Sequence, residues 1–146
     1  MKRLVIAATL ALAATTASAN DVISYTTDAS YDDVIFGLEN AIIDAGLVVD
    51  AVSHVGEMLD RTRADVGSDV TIFSHADVYS FCSATVSREV MEADPMNIVF
   101  CPYDIFIMQR PGDEKVTIGF RDYPDGPMKK VQALLDGIAK SAIGKD

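Results

Sequence analysis

Histidines and the sequence motifs of hydrolases are scarce in this sequence. His54 and His75 are its only histidines, and it contains neither a GxSxG nucleophile motif nor a glycine-rich phosphate loop. Ser83 and Ser87 stand beside a predicted helix start, where serine commonly serves as a cap. We therefore expect no acyl transfer and no catalytic centre of the protein's own.

Basic residues are also few. The chain has 12 lysines and arginines against 22 aspartates and glutamates, which gives a formal net charge of -10 at pH 7. Nucleic acids and anionic membrane surfaces attract proteins through basic patches. The composition therefore argues against a nucleic-acid partner and against binding to an anionic membrane.

Long hydrophobic runs are absent after the N-terminus. Met1 to Ala19 begins with two basic residues, continues with an apolar stretch and ends with the small residues ASA, as a secretory signal peptide does. Its apolar core is too short for a membrane-spanning helix, and no later segment reaches the required run of about 18 to 20 apolar residues. We predict cleavage after Ala19, periplasmic or secreted localisation, no stable membrane insertion, and one mature domain over residues 20–146.

The sequence has only two cysteines, Cys82 and Cys101. Their spacing matches neither a CxxC redox motif nor a CxxCH haem-attachment motif. In an oxidising compartment two cysteines first suggest a disulfide, and closing their loop of about 20 residues would stabilise the fold by about 3 kcal/mol. Three alternatives stay open: a structural disulfide, a redox-active or ligand-binding thiol pair, and two unpaired buried cysteines.

Hydrophobic periodicity predicts a fold of the α+β class. Strands are predicted over residues 21–27, 47–52, 70–73, 78–81, 98–108 and 116–120, and helices over residues 30–45, 53–66, 83–93 and from 127 onwards. The last two strands form a predicted hairpin. This order of elements indicates an antiparallel-rich sheet with helices packed on one face, which is a two-layer sandwich.

The stretch from Tyr79 to Met108 contains both cysteines and the densest apolar run. Ile98 to Met108 is apolar at nearly every position, as in a strand that is buried on both faces, and Pro102 predicts a bulge, a bend or an edge within it. If this strand lies beside the one that ends before Cys82, the two sulfurs can approach within bonding range.

Cys101 is the better candidate for a reactive sulfur, because the break at Pro102 frees its neighbourhood from the regular strand ladder. The candidate ligand-site neighbours are Phe81, Pro102 and Tyr103. A redox pair must expose at least one sulfur with a lowered pKa, whereas a structural disulfide would be buried and inert.

Ligand types for copper, zinc or haem iron are present, since the chain has two histidines, two cysteines and six methionines. His54 and His75 are the candidate metal ligands among them. No pair of these residues has the short separation that marks a strong metal motif. We therefore predict no cofactor, and metal or haem binding stays as an alternative hypothesis.

The segment FCSATVSREVMEADPMNIVFCPYDIFIM, residues 81–108, resembles the signature of exported members of the domain-of-unknown-function 302 family. Three further segments, SYTT, AGLVV and HVGEMLDRT, extend the resemblance to residues 22–123. The resemblance implies a small α+β domain, commonly a dimer, with one long sheet covered by helices that include the C-terminal one. It implies no activity, and because many members lack both cysteines, Cys82 and Cys101 inherit no family-wide role.

We interpret the protein as an exported, non-catalytic binding or accessory protein of undefined ligand. It is expected to form a homodimer and to have a small-molecule or protein partner. Thiol redox or sulfur-carrier chemistry at Cys82 and Cys101 is the alternative from a different class, and metal or haem binding is the third hypothesis.

Overall fold

The computed structural model describes residues 22–145, and the predicted signal peptide with its cleavage site lies outside them. Strands and helices alternate along most of this part of the chain. In chain order they are β1 (Val22–Thr27), α1 (Tyr31–Asp44), β2 (Val49–Ser53), α2 (Val55–Thr62), β3 (His75–Phe81), α3 (Ala84–Ala93), a 3-10 helix (Pro95–Phe100), β4 (Tyr103–Gln109), β5 (Val116–Arg121) and α4 (Lys129–Ala142).

The strands form one antiparallel sheet in the order β1-β5-β4-β3-β2. In the hairpin of β4 and β5, Phe106 pairs with Gly119. β3 lies beside β4, with Phe81 opposite Tyr103. The predicted α+β fold with an antiparallel-rich sheet is confirmed, and so is the hairpin. The adjacency of β3 and β4 is the condition for bringing the two cysteines together.

Alternate residues of the central strands form the core. In β4, Tyr103, Ile105 and Ile107 are buried, while the residues between them are only partly buried. α1 and α4 pack against each other and against β4 and β5. Gly37 permits the close approach of these two helices, because a Cβ at this position would overlap the carbonyl oxygen of Ala142.

Serine side chains cap the N-termini of α1 and α3. The Oγ atoms of Ser30 and Ser83 accept hydrogen bonds from the backbone N–H groups of Asp33 and Val86, at 3.1 and 3.3 Å. Each bond satisfies one of the N–H groups that have no partner in the first turn of a helix. Both predicted helix starts are confirmed.

The apolar run at residues 98–108 is not a single strand. Its first residues belong to the 3-10 helix Pro95–Phe100, and β4 is buried on one face rather than on two. The carboxylate of Asp94 caps the 3-10 helix by accepting a hydrogen bond from the N–H of Met96 at 2.9 Å. A helical turn is therefore stabilised by a polar contact in a stretch where apolar periodicity predicted a strand.

Three smaller predictions also differ from the structure. Residues 70–73 form no strand, α2 ends at Thr62, earlier than predicted, and α4 starts two residues after Pro127. Val70 and Ile72 are exposed. This stretch therefore lacks the burial that would hold a strand in place.

The longest helices in the described residues, α1 and α4, have 14 residues each. In the described part of the chain, none of the helices has both the length and the apolar character needed to cross a membrane.

Candidate functional site

The two cysteines lie side by side at one end of the sheet. Cys82 follows the last residue of β3, and Cys101 lies between the 3-10 helix and β4. Their Sγ atoms are 3.1 Å apart and are not bonded to each other, so both residues are thiols in this structure. The peptide bond between Cys101 and Pro102 is cis. Because Cys82 is exposed and Cys101 is partly exposed, the pair is accessible from solvent.

Two short helices connect the cysteines and hold them in place. Ser83 caps α3 directly after Cys82, and the 3-10 helix ends directly before Cys101. The side chain of Asn97 donates a hydrogen bond to the carbonyl of Val90 at 2.8 Å, which fixes the 3-10 helix against the last turn of α3. The connection therefore returns the chain to the point where it left the sheet.

Buried aromatic side chains support the pair from the core. Phe81 and Tyr103 are 0% and 1% exposed. The hydroxyls of Tyr103 and Ser87 are 2.9 Å apart, and the ring of Tyr103 meets Tyr123 edge-on with 6.4 Å between centroids. Of the predicted ligand-site neighbours, Pro102 is the exposed one. Phe81 and Tyr103 face the core, where they position the backbone on either side of the sulfurs.

The surroundings of Cys82 disfavour its thiolate form. Desolvation of the sulfur, the hydrogen bond to Cys101 and negative charge on Cys101 and Asp50 together raise the pKa of Cys82 to about 12. Asp50 comes close because the register between β2 and β3 shifts at this residue. Cys82 therefore keeps its proton at neutral pH.

A second cluster of titratable side chains lies at the other end of β3. The carboxylate of Asp77, a residue that is 9% exposed, lies 2.8 Å from Nδ1 of His54 and accepts a hydrogen bond from the hydroxyl of Tyr31 at 3.0 Å. The ring of Tyr31 stacks on His75 with 4.8 Å between centroids. Burial and the charge of Asp77 raise the pKa of Tyr31, so this hydroxyl stays a neutral donor. Asp77 thus fixes the hydroxyl of Tyr31 by a hydrogen bond and orients the imidazole of His54.

The structure separates the histidines from the cysteines. His75 begins β3 and Cys82 follows its end, so the strand places them about 20 Å apart. The four residues considered as metal ligands are therefore not brought to one place. Among residues 22–145, no group of three or more His, Cys, Asp or Glu side chains has an arrangement that fits a metal ion.

Sequence patterns do not identify Asp50, Asp77 or Tyr31 as site residues. Asp50 approaches Cys82 through a register shift, which leaves no signal in the sequence. Asp77 does leave one, because it lies inside β3 and acidic residues are rare in strands. The predicted strand at residues 78–81 begins one residue too late to reveal it.

A family model and one solved structure match this chain. Residues 23–139 match the family model described as Domain of unknown function DUF302. The fold is similar to the crystal structure of an uncharacterized conserved DUF302 protein from Bacillus stearothermophilus, with a TM-score of 0.60 and 17% sequence identity. The similarity covers 84% of this chain and 93% of that chain, and at this identity it shows the fold alone. No curated protein matches the chain. Because the family match spans most of the sequence, the chain belongs to the DUF302 family.

Proposed function

We propose that the protein is an exported accessory protein whose cysteine pair alternates between a dithiol and a disulfide. The observation that carries this proposal is the 3.1 Å separation of two solvent-accessible sulfurs, those of Cys82 and Cys101. Exposed disulfides are the labile and reactive ones, whereas structural disulfides resist reduction. Exposure meets one requirement of a redox pair and argues against a purely structural bond, whereas the lowered pKa that such a pair also requires is not found at Cys82.

The two sulfurs have different roles in this proposal. The thiolate of Cys101 attacks a disulfide of the partner, forms a mixed disulfide and releases the partner's first sulfur as a thiolate. Cys82 then attacks Sγ of Cys101, forms the internal disulfide and releases the partner's second sulfur, while the proton of Cys82 passes to a released thiolate. The pair loses two electrons, and the partner disulfide gains them and becomes a dithiol.

The raised pKa of Cys82 keeps this thiol out of the first step. A thiol that keeps its proton does not compete with Cys101 for the incoming disulfide. Desolvation, the largest cause of the raised pKa of Cys82, remains in the mixed disulfide, but Cys101 then carries no charge and its repulsion of and hydrogen bond to Cys82 are removed. Cys82 is therefore easier to ionise when its attack is required.

Export and a homodimer complete the proposal. Export is supported by the signal-peptide pattern of Met1 to Ala19, and the dimer by the family resemblance. An intact mass that begins at Asn20 and a light-scattering mass of two chains are the expected results. A retained leader would contradict export, and a monomeric mass would contradict the dimer.

Limited alkylation of the reduced protein at pH 7 tests the roles of the two sulfurs. We expect iodoacetamide to modify Cys101 at least about tenfold faster than Cys82, because the reagent reacts with the thiolate. Peptide mapping after reaction with substoichiometric reagent identifies the modified residue. In strong denaturant the pair is disrupted, and both cysteines should then react at similar rates. The proposal fails if Cys82 is labelled first in the folded protein, or if neither cysteine reacts faster than a free thiol.

A further inference from the structure

An apolar surface borders the reactive end of the cysteine pair. Met96, Ile98 and Val99 of the 3-10 helix are 66%, 56% and 61% exposed. We call these three residues the exposed apolar segment. Val99 precedes Cys101 by two residues, and the N–H of Cys101 donates a hydrogen bond to the carbonyl of Ile98 at 3.1 Å. The segment is thus connected directly to the backbone of the attacking cysteine.

Polar contacts and packing hold the exposed apolar segment in place. Asp94 caps its first turn, and Asn97 ties it to α3 through the carbonyl of Val90. Phe100 packs against Tyr123, with 5.7 Å between ring centroids. The exposed apolar segment therefore loses little conformational freedom when a partner binds. Such preorganisation favours association.

Acidic side chains lie beside Cys82 and at the start of the 3-10 helix, and the basic Arg121 acts on Tyr123 near Cys101. Asp50 adds negative charge at Cys82, and the 3-10 helix is capped by Asp94. On the neighbouring α3, the acidic side chains of Glu89 and Glu92 form ion pairs with Lys130 and Arg88, so these two basic groups are already occupied. An anionic thiol or disulfide is repelled at such a site, whereas a neutral or basic one is not.

We propose that the exposed apolar segment binds a cysteine-containing polypeptide in which apolar residues flank the cysteine and the net charge is neutral or positive. This inference rests on the dithiol–disulfide function proposed above and names its substrate class. The apolar flank of the polypeptide covers Ile98 and Val99, and its sulfur then meets Sγ of Cys101. Small anionic disulfides such as oxidised glutathione lack the apolar flank and carry the wrong charge.

Stopped-flow measurements with three pyridyl disulfide probes test this inference, because each releases a chromophoric thione. The probes are a peptide with leucine and lysine flanking its activated cysteine, a peptide with aspartate at the same positions, and 2,2′-dithiodipyridine as a small neutral probe. We expect the wild-type protein to react about tenfold faster with the leucine peptide than with the aspartate peptide, a difference of about 1.4 kcal/mol.

Two variants separate docking from reactivity. The double variant Ile98→Ser, Val99→Ser should lose most of the preference for the leucine peptide and keep its rate with 2,2′-dithiodipyridine. Phe36→Ser, which changes an equally exposed apolar residue on α1, should keep both. Equal rates with the two peptides, or an unchanged preference in the double variant, would overturn this docking inference. Either result would leave the dithiol–disulfide function standing.

Two further outcomes would also overturn it. Light scattering that shows a dimer for the wild type and a monomer for the double variant would mean that a second copy covers the segment. No reaction of the wild type with any of the three probes would overturn the dithiol–disulfide function and the inference with it.

Discussion

Replacing Phe81 with alanine is expected to lower the free energy of unfolding by about 3 to 5 kcal/mol. The side chain is completely buried at the end of β3, directly before Cys82 and opposite Tyr103. Its removal loses the transfer free energy of the ring and leaves a cavity in the hydrophobic core, where the surrounding close-packed side chains have little room to collapse. Urea unfolding followed by circular dichroism measures the change.

Phe36→Ala is the matched control, because it removes the same side chain from a position that is 69% exposed. We expect it to change the free energy of unfolding by no more than about 0.5 kcal/mol. A loss of less than about 1 kcal/mol for Phe81→Ala would contradict the packing described here. It would also reopen a direct role for this ring in ligand binding.

Reduction of a Cys82–Cys101 disulfide is expected to lower the free energy of unfolding by about 3 kcal/mol, because the bond closes a loop of about 20 residues and so restricts the unfolded chain. The two sulfurs are already 3.1 Å apart as thiols, and the bond therefore forms without rearrangement of the strands. Urea unfolding of the oxidised and the reduced protein at the same pH measures the difference.

The double variant Cys82→Ser, Cys101→Ser is the control for this comparison. Its stability should not respond to reductant and should lie close to that of the reduced protein. Oxidised and reduced wild-type protein that differ by less than about 1 kcal/mol would contradict the expected loop closure. A shift of the same size in the double variant would show that the reductant acts elsewhere.

The sequence predicts the elements well where hydrophobic periodicity and a capping residue agree. α1 and α3 begin after Ser30 and Ser83, as the pattern of serine followed by an apolar stripe indicates. The pairing of the hairpin follows from the turn at residues 111–113 and the alternation that precedes and follows it. The approach of Cys82 and Cys101 was expected on the condition that β3 and β4 are neighbours, and the structure meets that condition.

The details that make the site asymmetric depend on contacts which periodicity does not encode. Asp94 caps the 3-10 helix by accepting a hydrogen bond from the N–H of Met96, and Asn97 ties it to α3 by donating one to the carbonyl of Val90. The apolar residues of this helix have the sequence pattern of a strand. Asp50 reaches Cys82 only because the pairing of β2 shifts by one residue. His54 and Asp77 meet across the same pair of strands. Side-chain hydrogen bonds and register therefore decide what the cysteines and histidines contact, and both require the folded sheet.

Trapping a mixed disulfide tests the proposed cycle most directly. The Cys82→Ser variant keeps the attacking sulfur and lacks the one that resolves the intermediate. With a disulfide-bonded peptide, we expect this variant to accumulate an adduct of one peptide chain at Cys101, visible by intact mass and located by peptide mapping. Wild-type protein should instead accumulate its internal disulfide, and Cys101→Ser should form an adduct much more slowly. A Cys82→Ser variant that forms no adduct, or a Cys101→Ser variant that forms one equally fast, would contradict the assignment of Cys101 as the attacking sulfur and the cycle built on it.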